Sequence, residues 1–413
     1  MELELFQKKL SKSESSSSQG IGLRVIVEGR PGYSYTRKFT QESIDLMVND
    51  AVSLAGFTDP LDIDMPQPTN ITSTDLKKWS SELEKVTMND MKSFCESIDD
   101  YCWQKDERVE NINYLGMGKQ SSWSAFFNSR ACLYPSKSNS ISAYVGVVSA
   151  EKDQKKSGMY SNGTRSMTDL DPILMANLAV ERSLELLGAS SFSSSSCPVI
   201  LSNRVSGSLL GKFLSVFSAD QVQKGQSKFA GKLGQQVGSS LINLHSLPHI
   251  EKAPGSRFVD SEGIATKDLA IMEEGVLNSF IYNLETSKKA GVEPSGHGSR
   301  GLQGKVGIGF ANLHMSKGES KLNDLLASSE EVFYITKLEG GSACSSVSGE
   351  ISIGVQGLLF RHGQIERAVD ACTLSTNFFD LLNQIQALSD EYSDSFSSLK
   401  IPDILIDGVA LSG

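Results

Sequence analysis

Hydrophobic and polar residues alternate along the first part of the chain in short runs that predict strands. Such runs occupy residues 3–6, 22–28 and 33–39, and a period of two residues is that of a strand with one buried face. Residues 29–32 read Gly-Arg-Pro-Gly, which predicts a turn that joins the last two runs into a hairpin. The serine-rich residues 11–20 predict a flexible loop.

Three helices are indicated by apolar residues at helical spacing behind a capping residue. Thr40 precedes the first helix, Thr87 with Asp90 resembles a capping box before the second, and Asp171 opens the third. The predicted buried faces are Ile44, Met47, Val48, Ala51 and Leu54, then Met91, Phe94, Cys95, Ile98 and Cys102, and finally Ile173, Leu174, Asn177, Val180, Leu184 and Leu187.

Residues 114–148 predict β-structure between the second and third helices. Two alternating runs are separated there by Pro135 and Ser136, which predict a turn. Residues 151–164 are rich in Lys, Ser and Gly, and this composition predicts a mobile loop.

The second half begins with a long apolar pattern that starts at Val205. Leucine and phenylalanine recur at helical spacing up to residue 217, which predicts a buried helix over residues 208–220. After Asp220 the pattern stops, and glycines punctuate the basic residues 224–236. A buried helix that leads into a glycine-rich loop is one way to build a site.

Strand patterns dominate the remaining residues and predict the fold class. They occupy residues 198–201, 241–244, 269–272, 276–282, 351–359, 365–369 and 404–406, and a helical pattern occupies residues 376–389. No regular alternation of strand and helix is present, so the expected fold is α+β. We predict a mixed α/β N-terminal domain in residues 1–195 and a C-terminal domain in residues 196–413 with a large, mostly antiparallel sheet.

Composition excludes several classes of protein. The chain has 413 residues, of which 39% are hydrophobic and 21% charged, as in a globular protein of two domains. No apolar run is long enough to cross a bilayer and the N-terminus lacks a basic secretory n-region, so we predict a cytoplasmic protein without membrane contact. The net charge of −10 disfavours nucleic-acid binding. The six cysteines lack CxxC spacing, which predicts isolated, mostly buried thiols.

Most candidate catalytic motifs fail on detail. His245 and His249 have the spacing of two helical metal ligands, but Pro248 would break that helix. No GxSxG nucleophile motif is present. The glycine-rich residues 301–310 lack the Ser or Thr that follows the lysine of a phosphate loop, and close backbone packing explains them better.

The segment SRFVDSEG offers the most interesting polar group. Asp260 and Glu262 are two residues apart, so on a strand their side chains would lie on one face. There they could serve acid–base chemistry or bind a basic group. The alternative is a turn in which the aspartate side chain bonds to the backbone, since Asp-Ser-Glu-Gly is ordinary turn chemistry.

Several motifs together resemble the TldD/PmbA family, also called the modulator of DNA gyrase family. They are LLGKF, QKGQSKFAGKLGQQV, APGSRFVDSEGIAT, MEEGVLNSFIYNLETSKKAG, KLEGG, VSGEISIGVQGLLFRHGQIERAV and ILIDGVALSG. The resemblance is clear over residues 198–413, where the motifs occur in the family's order. It is weaker over residues 20–190, where GLRVIVEGRPGYSYT is similar to the family's early hairpin.

One branch of that family carries an HExxxH helix that binds a metal, taken to be zinc. In this chain the corresponding ligand positions fall on Leu210 and Ser215, and the acid position falls on Gly211. Leucine cannot bind a metal and glycine cannot act as a base. The resemblance therefore implies a subunit of the TldE/PmbA type with no catalytic residue and no metal of its own. It implies a TldD-like partner that supplies zinc, and a pair that acts as a peptidase on small or unfolded peptides.

The matched motifs also supply candidate residues for a peptide cleft or partner interface. These are Arg257, Asp260, Glu262, Gly263, His297, Glu339, Gly340, Gly349 and Glu350. We expect sheet edges to bind an extended peptide through main-chain hydrogen bonds.

Two alternatives to this subunit role stay open. One is an independent enzyme with a displaced site built from His297, Asp260, Glu262 or Glu350. The other is a scaffold of identical subunits, in which the partner is a second copy and peptides are captured without cleavage.

Overall fold

Two large clusters of buried hydrophobic side chains organise the protein, one in each half of the chain. The computed structural model describes residues 1–61, 63–69, 71, 75–192, 197–340 and 343–413. One cluster draws its members from Leu3 to Val180 and the other from Phe192 to Leu411. The predicted boundary after residue 195 falls in residues 193–196, outside the described part.

The first half combines a sheet, a separate hairpin and several helices. Its elements are β1 (Glu2–Phe6), β2 (Lys9–Glu14), β3 (Ile21–Val27), β4 (Arg30–Thr36), α1 (Gln41–Ala55), α2 (Ser81–Lys85), α3 (Met88–Lys105), β5 (Val109–Phe127), β6 (Leu133–Glu151), β7 (Gln154–Thr164) and α4 (Pro172–Leu184). The sheet has the order β2-β1-β5-β6-β7 with antiparallel pairs throughout, and β3 and β4 form the hairpin.

Capping and turn chemistry place several elements where the sequence predicts them. The Thr87 side chain accepts the Asp90 N–H and the Asp90 carboxylate accepts the Thr87 N–H, which confirms the capping box of α3. Thr40 and Asp171 cap α1 and α4 as predicted. The β3–β4 turn is tighter than predicted, because Glu28 and Gly29 both take the left-handed conformation of a two-residue hairpin turn.

The buried face of α4 differs from the predicted one. Ile173 and Leu174 are largely exposed, and the face that packs on the sheet consists of Met175, Ala176, Ala179, Val180 and Ser183. These small residues bring the helix close to β7, where a side chain on Gly158 would lie 2.3 Å from the Ala179 carbonyl oxygen. Close packing of backbones outweighs the size of the apolar residues in the first turn.

Three predicted loops or turns of the first half are wrong, since strand pairing overrides their polar composition. Residues 11–14 belong to β2. Residues 154–164, predicted to be mobile, form the edge strand β7, which pairs with β6 from Glu151 to Ile141. Pro135 lies inside β6, in a two-stranded ribbon of residues 121–127 and 133–139. The turn of this ribbon is Asn128–Cys132, where the Asn128 side chain accepts two backbone N–H groups.

The second half is built mainly from strands. Its elements are β8 (Ser190–Ser191), β9 (Val199–Leu201), α5 (Ser206–Leu210), a 3₁₀ segment (Gly211–Phe217), α6 (Ala219–Gln223), β10 (Leu244–Ser246), β11 (Leu269–Glu273), β12 (Val276–Leu277), α7 (Leu284–Ala290), β13 (Gly298–Ser299), β14 (Gly307–Ile308), β15 (Leu313–Met315), α8 (Leu322–Leu326), β16 (Glu331–Glu339), β17 (Glu350–Arg361), β18 (Gln364–Asn377), α9 (Phe378–Asn383), β19 (Ile385–Tyr392), β20 (Leu399–Lys400), β21 (Pro402–Ile406) and β22 (Ala410–Ser412).

A large sheet of order β19-β21-β9-β16-β17-β18-β22 forms the centre of this half. β9 pairs with β16 in parallel, and β8 joins β18 in parallel, whereas the other pairs are antiparallel. A smaller sheet has the order β12-β11-β10-β15-β20. The α+β fold and the large, mostly antiparallel sheet are therefore confirmed.

The predicted helix over residues 208–220 is broken into three short segments. Its apolar face is confirmed, because Leu209, Leu210, Phe213 and Phe217 are all buried. The break follows from pairing with another part of the chain. The Ile281 N–H donates to the Phe217 carbonyl oxygen and the Ala219 N–H donates to the Ile281 carbonyl oxygen.

Two other predicted elements of the second half change length or position. The helix predicted over residues 376–389 ends at Asn383, and residues 385–392 form β19 instead, because they pair with β21. The strand predicted over residues 241–244 is β10, which begins three residues later. None of the helices in the described ranges has both the length and the apolar character needed to cross a lipid bilayer.

Candidate functional site

The structure divides the nine candidate residues among three places. Arg257, Asp260, Glu262, Gly263 and His297 lie together in a polar group at the contact between the two halves, which we call the junction cluster. Glu339 and Gly340 lie at the end of β16, and Gly349 and Glu350 lie at the start of β17.

Asp260 holds a tight turn together. Its carboxylate accepts the backbone N–H groups of Glu262 at 2.8 Å and Ile264 at 3.0 Å, and that of Gly298 at 2.7 Å. Burial, aided by the negative charge of the neighbouring Glu262, raises the pKa of Asp260 to about 6, although the three backbone hydrogen bonds oppose this shift. The turn interpretation of DSEG therefore describes the hydrogen bonds of Asp260, although its carboxyl group also lies close to that of Glu262.

Glu262 links the two halves of the chain through a buried ion pair. One carboxylate oxygen contacts Nη1 of Arg24 on β3 at 2.5 Å, and the exposed fractions of the two side chains are 2% and 9%. The other oxygen accepts the backbone N–H of Leu284, the first residue of α7, at 2.7 Å. Both oxygens of Glu262 are thus engaged inside the protein.

His297 is buried between two serines. Its Nε2 is 2.8 Å from the Ser246 hydroxyl, and its Nδ1 is 2.9 Å from the Ser295 hydroxyl. Burial, together with the nearby Arg257, lowers the pKa of His297 to about 4, so the ring is neutral at neutral pH. Because both ring nitrogens have hydrogen-bond partners, neither is available in this arrangement to bind a metal ion.

The ribbon of the first half rests on the same turn. Gly263 has a φ of +86°, and a side chain there would lie 2.4 Å from the Phe126 ring. Glycine is therefore needed both for its left-handed conformation and for the close approach of the ribbon. The β3–β4 hairpin adds a further contact, because Arg300 donates to the Leu23 carbonyl oxygen at 3.0 Å.

The other candidate residues have different neighbours. Glu339 accepts a hydrogen bond from Gln356 at 2.7 Å. Glu350 accepts one from the Ser348 hydroxyl at 3.2 Å and lines a cavity of about 610 Å³ beside Cys344. Of the four residues proposed for a displaced enzyme site, His297, Asp260 and Glu262 are thus brought together, while Glu350 lies at the start of another strand.

The positions that correspond to the HExxxH motif do not fit a metal ion. Leu210 is 3% exposed and belongs to the hydrophobic core. A Cβ atom added to Gly211 would lie 3.4 Å from Cδ2 of Leu399. An apolar side chain therefore occupies the space beside the position where the motif has its acid. Within the described ranges, no group of three or more His, Cys, Asp or Glu side chains could hold a metal ion.

A cavity of about 510 Å³ between the two halves was not predicted from the sequence. Its lining residues include Asn113 and Met159 of the first sheet, Arg182 of α4, Lys212 after α5 and Thr336 of β16. They are spread over more than 200 positions of the chain and form no sequence motif. Gly340 of KLEGG also lines the cavity and is the one candidate residue that pointed towards it.

Known proteins align with nearly the whole chain. A model described as the PmbA/TldA metallopeptidase C-terminal domain matches residues 194–413, and one described as PmbA/TldA metallopeptidase domain 1 matches residues 1–55. The chain is 23% identical to the "Metalloprotease PmbA homolog" of Haemophilus influenzae, over 98% of this chain and 88% of the relative. It is 21% identical to the "Metalloprotease PmbA" of Escherichia coli O157:H7, over 97% and 87%.

Two solved structures share the fold along the full chain. A Thermotoga maritima protein named for modulation of a DNA gyrase superposes with a TM-score of 0.90 at 24% identity, over 100% of this chain and 93% of the other. TldE from Thermococcus kodakarensis superposes with a TM-score of 0.88 at 19% identity, over 100% and 94%. Because the C-terminal family model alone covers more than half of the residues, this chain belongs to the PmbA/TldD family of metallopeptidases.

Proposed function

We propose that this chain is a non-catalytic, TldE/PmbA-type subunit of a metallopeptidase complex that acts on small or unfolded peptides. A TldD-like subunit holds the zinc in this proposal. The observation that carries it is the segment around residues 210–215. A buried leucine and a glycine packed against Leu399 stand there, where a metal site needs histidine and glutamate.

The candidate residues take two roles in this proposal. The junction cluster fixes the position of the first half on the second, since Asp260 and Glu262 are buried and Glu262 forms an ion pair with Arg24 of the first half. Glu339, Gly340, Gly349 and Glu350 stand at strand ends beside cavities, where they contact the peptide or the partner subunit. Main-chain hydrogen bonding at such strand ends gives affinity with little sequence preference.

Metal analysis and peptide cleavage by separate and combined subunits test this function. The purified chain alone is expected to contain no stoichiometric zinc and to leave an unfolded peptide uncleaved. Addition of a TldD-like subunit with an intact HExxxH motif is expected to give a stable complex and chelator-sensitive cleavage.

Three results would contradict the proposal. One is an equivalent of zinc bound by residues 205–220. The second is cleavage by the chain alone that Asp260→Asn abolishes, which would favour the displaced enzyme site. The third is a stable assembly of identical subunits that binds peptide and ignores the TldD-like subunit, which would favour the scaffold.

A further inference from the structure

We infer that the cavity between the two halves binds a carboxylate group of the peptide substrate. This inference rests on the proposed function and extends it, because it names the part of the peptide that the chain recognises. It is carried by the charge of the cavity, by two buried polar atoms without partners and by the mixture of polar and apolar walls.

The cavity is strongly cationic. Arg182, Arg204, Lys212 and Lys337 line it, and Glu185 is the single carboxylate among its described lining residues. This imbalance stands out in a chain whose net charge is −10. A concave, positively charged site between protein walls attracts anions.

The two arginines are only partly neutralised. Arg204 forms an ion pair with Glu185 at 3.2 Å. Arg182 donates to the Met159 carbonyl oxygen at 2.8 Å and lies 5.0 Å from the centre of the Tyr160 ring. Within the described ranges no carboxylate lies within 4 Å of it. Burial and the proximity of Arg204 lower the pKa of Arg182 to about 10, so a bound anion would stabilise its charge.

The two lysines are free to contact a ligand. The side chains of Lys212 and Lys337 form no hydrogen bond or ion pair in the part of the chain that the structure describes. Charged hydrogen bonds from lysine and arginine to a carboxylate are stronger than neutral ones. The cavity therefore offers several unused donors of the kind that a carboxylate needs.

One residue that lines the cavity also carries a buried hydroxyl without a partner. Thr336 is 7% exposed, and its Oγ1 forms no hydrogen bond with any described residue. The residue stands at a bulge of β16, where the register with β17 shifts between Ile335 and Lys337. Buried hydroxyl groups nearly always have a partner, so an unpartnered hydroxyl in the wall of a cavity is available to bond a ligand there.

The second unpartnered atom favours a peptide over a bare anion. Asn113 Oδ1 is buried without a hydrogen bond among the described residues, and as an acceptor it needs an N–H or O–H donor. Inorganic anions such as sulfate carry no such donor, whereas a peptide has backbone N–H groups. Met159, Leu338 and Ile353 supply apolar surface for the rest of the residue. The ligand carboxylate is either the C-terminus of the peptide or an acidic side chain.

Fluorescence anisotropy with three matched peptides shows whether the bound carboxylate is the C-terminus of the peptide or an acidic side chain. The probes are an N-terminally labelled decapeptide of Ala and Ser as the free acid, the same peptide as the C-terminal amide, and the amide with one internal Glu. The full chain is expected to bind the free acid about tenfold more tightly than the plain amide, the gain expected from one or two charged hydrogen bonds. Equally tight binding of the Glu-containing amide would show that an acidic side chain can occupy the cavity.

Variants of the cavity then localise the effect. Thr336→Val removes the unpartnered hydroxyl and is expected to weaken the free acid about fivefold or more, while leaving binding of the plain amide and the melting temperature unchanged. Ser202→Ala is the matched control, because Ser202 Oγ is also buried without a partner but does not line the cavity. It is expected to bind all three peptides as the native chain does.

Charge reversal gives an independent test. The double variant Lys212→Glu with Lys337→Glu is expected to lose the preference for the free acid. Lys232→Glu with Lys305→Glu changes the net charge equally at exposed positions away from the cavity and is expected to keep the preference. Equal binding of all three peptides, or an unchanged preference in the cavity variants, would overturn this inference and leave the proposed subunit role intact. Failure of the complex to bind any of the peptides would contradict the proposed function itself.

Discussion

The buried ion pair between Arg24 and Glu262 should dominate the coupling between the two halves. Glu262→Gln keeps an oxygen to accept the Leu284 N–H but leaves Arg24 without a counter-charge. Removing one partner of a buried ion pair costs about 3–5 kcal/mol. With an unfolding entropy of about 2.1 cal/mol/K per residue, unfolding of the whole chain as one unit gives a fall in melting temperature of about 3–6 °C.

Differential scanning calorimetry measures this loss, and a double-mutant cycle tests its origin. Arg24→Met with Glu262→Gln removes both charges and is expected to be more stable than Glu262→Gln alone, because no buried charge is left unpaired. Glu285→Gln is the matched control. It makes the same chemical change in the solvent-accessible pair with Lys289, in which Glu285 is only half-buried, so it should shift the melting temperature by at most about 1 °C.

Tryptophan fluorescence adds the location of the change. The three tryptophans, Trp79, Trp103 and Trp123, all lie in the first half of the chain. If the ion pair couples the halves, Glu262→Gln should separate the fluorescence transition from the circular dichroism transition. A Glu262→Gln variant that melts within 1 °C of the native chain, or a double variant no more stable than the single one, would refute the reasoning.

Three further predictions concern the junction cluster and a helix cap. Burial raises the pKa of Asp260 to about 6, so the folded chain favours its protonated form. The stability that this form contributes is complete below about pH 4 and is lost as the pH rises towards 6. The melting temperature of the native chain should therefore fall relative to that of Asp260→Asn over that range. Gly263→Ala should lower the melting temperature in differential scanning fluorimetry, because alanine is strained at this left-handed φ and its Cβ would clash with the Phe126 ring. Adding Phe126→Ala should remove the clash but not the backbone strain, so it should restore only part of the loss. Thr87→Ala should cost about 1 kcal/mol in urea unfolding followed by tryptophan fluorescence, whereas an unchanged midpoint would contradict the role of the capping box.

Local chemistry could be predicted from the sequence, and pairing between distant residues could not. The caps at Thr40, Thr87 and Asp171 act over three or four residues, so the sequence contains all the information they need. The helical pattern predicted over residues 376–389 continues past α9, but residues from Ile385 onwards pair with the distant strand β21 instead. The polar composition of residues 154–164 predicted a loop, because the strand β7 depends on its pairing with β6 and not on an apolar pattern of its own.

The candidate site shows the same limit. The motif around Asp260 and Glu262 can be recognised in the sequence. Arg24, however, lies 238 residues before Glu262, and no sequence pattern indicates that the two side chains meet. The role of Thr336 depends on a bulge that arises from the register of β16 and β17. Neither feature leaves a periodic signal in the chain.

The distance between Arg24 and Glu262 along the chain also sets an order of events during synthesis. At about 5–20 residues per second, a ribosome needs roughly 12–48 s to make the 238 residues that separate them. The first half has time to fold in that interval, with Arg24 still hydrated and Phe126 not yet covered. Docking of the first half onto the later-made turn can therefore follow its folding, since the Arg24–Glu262 ion pair can form only once residue 262 has been made.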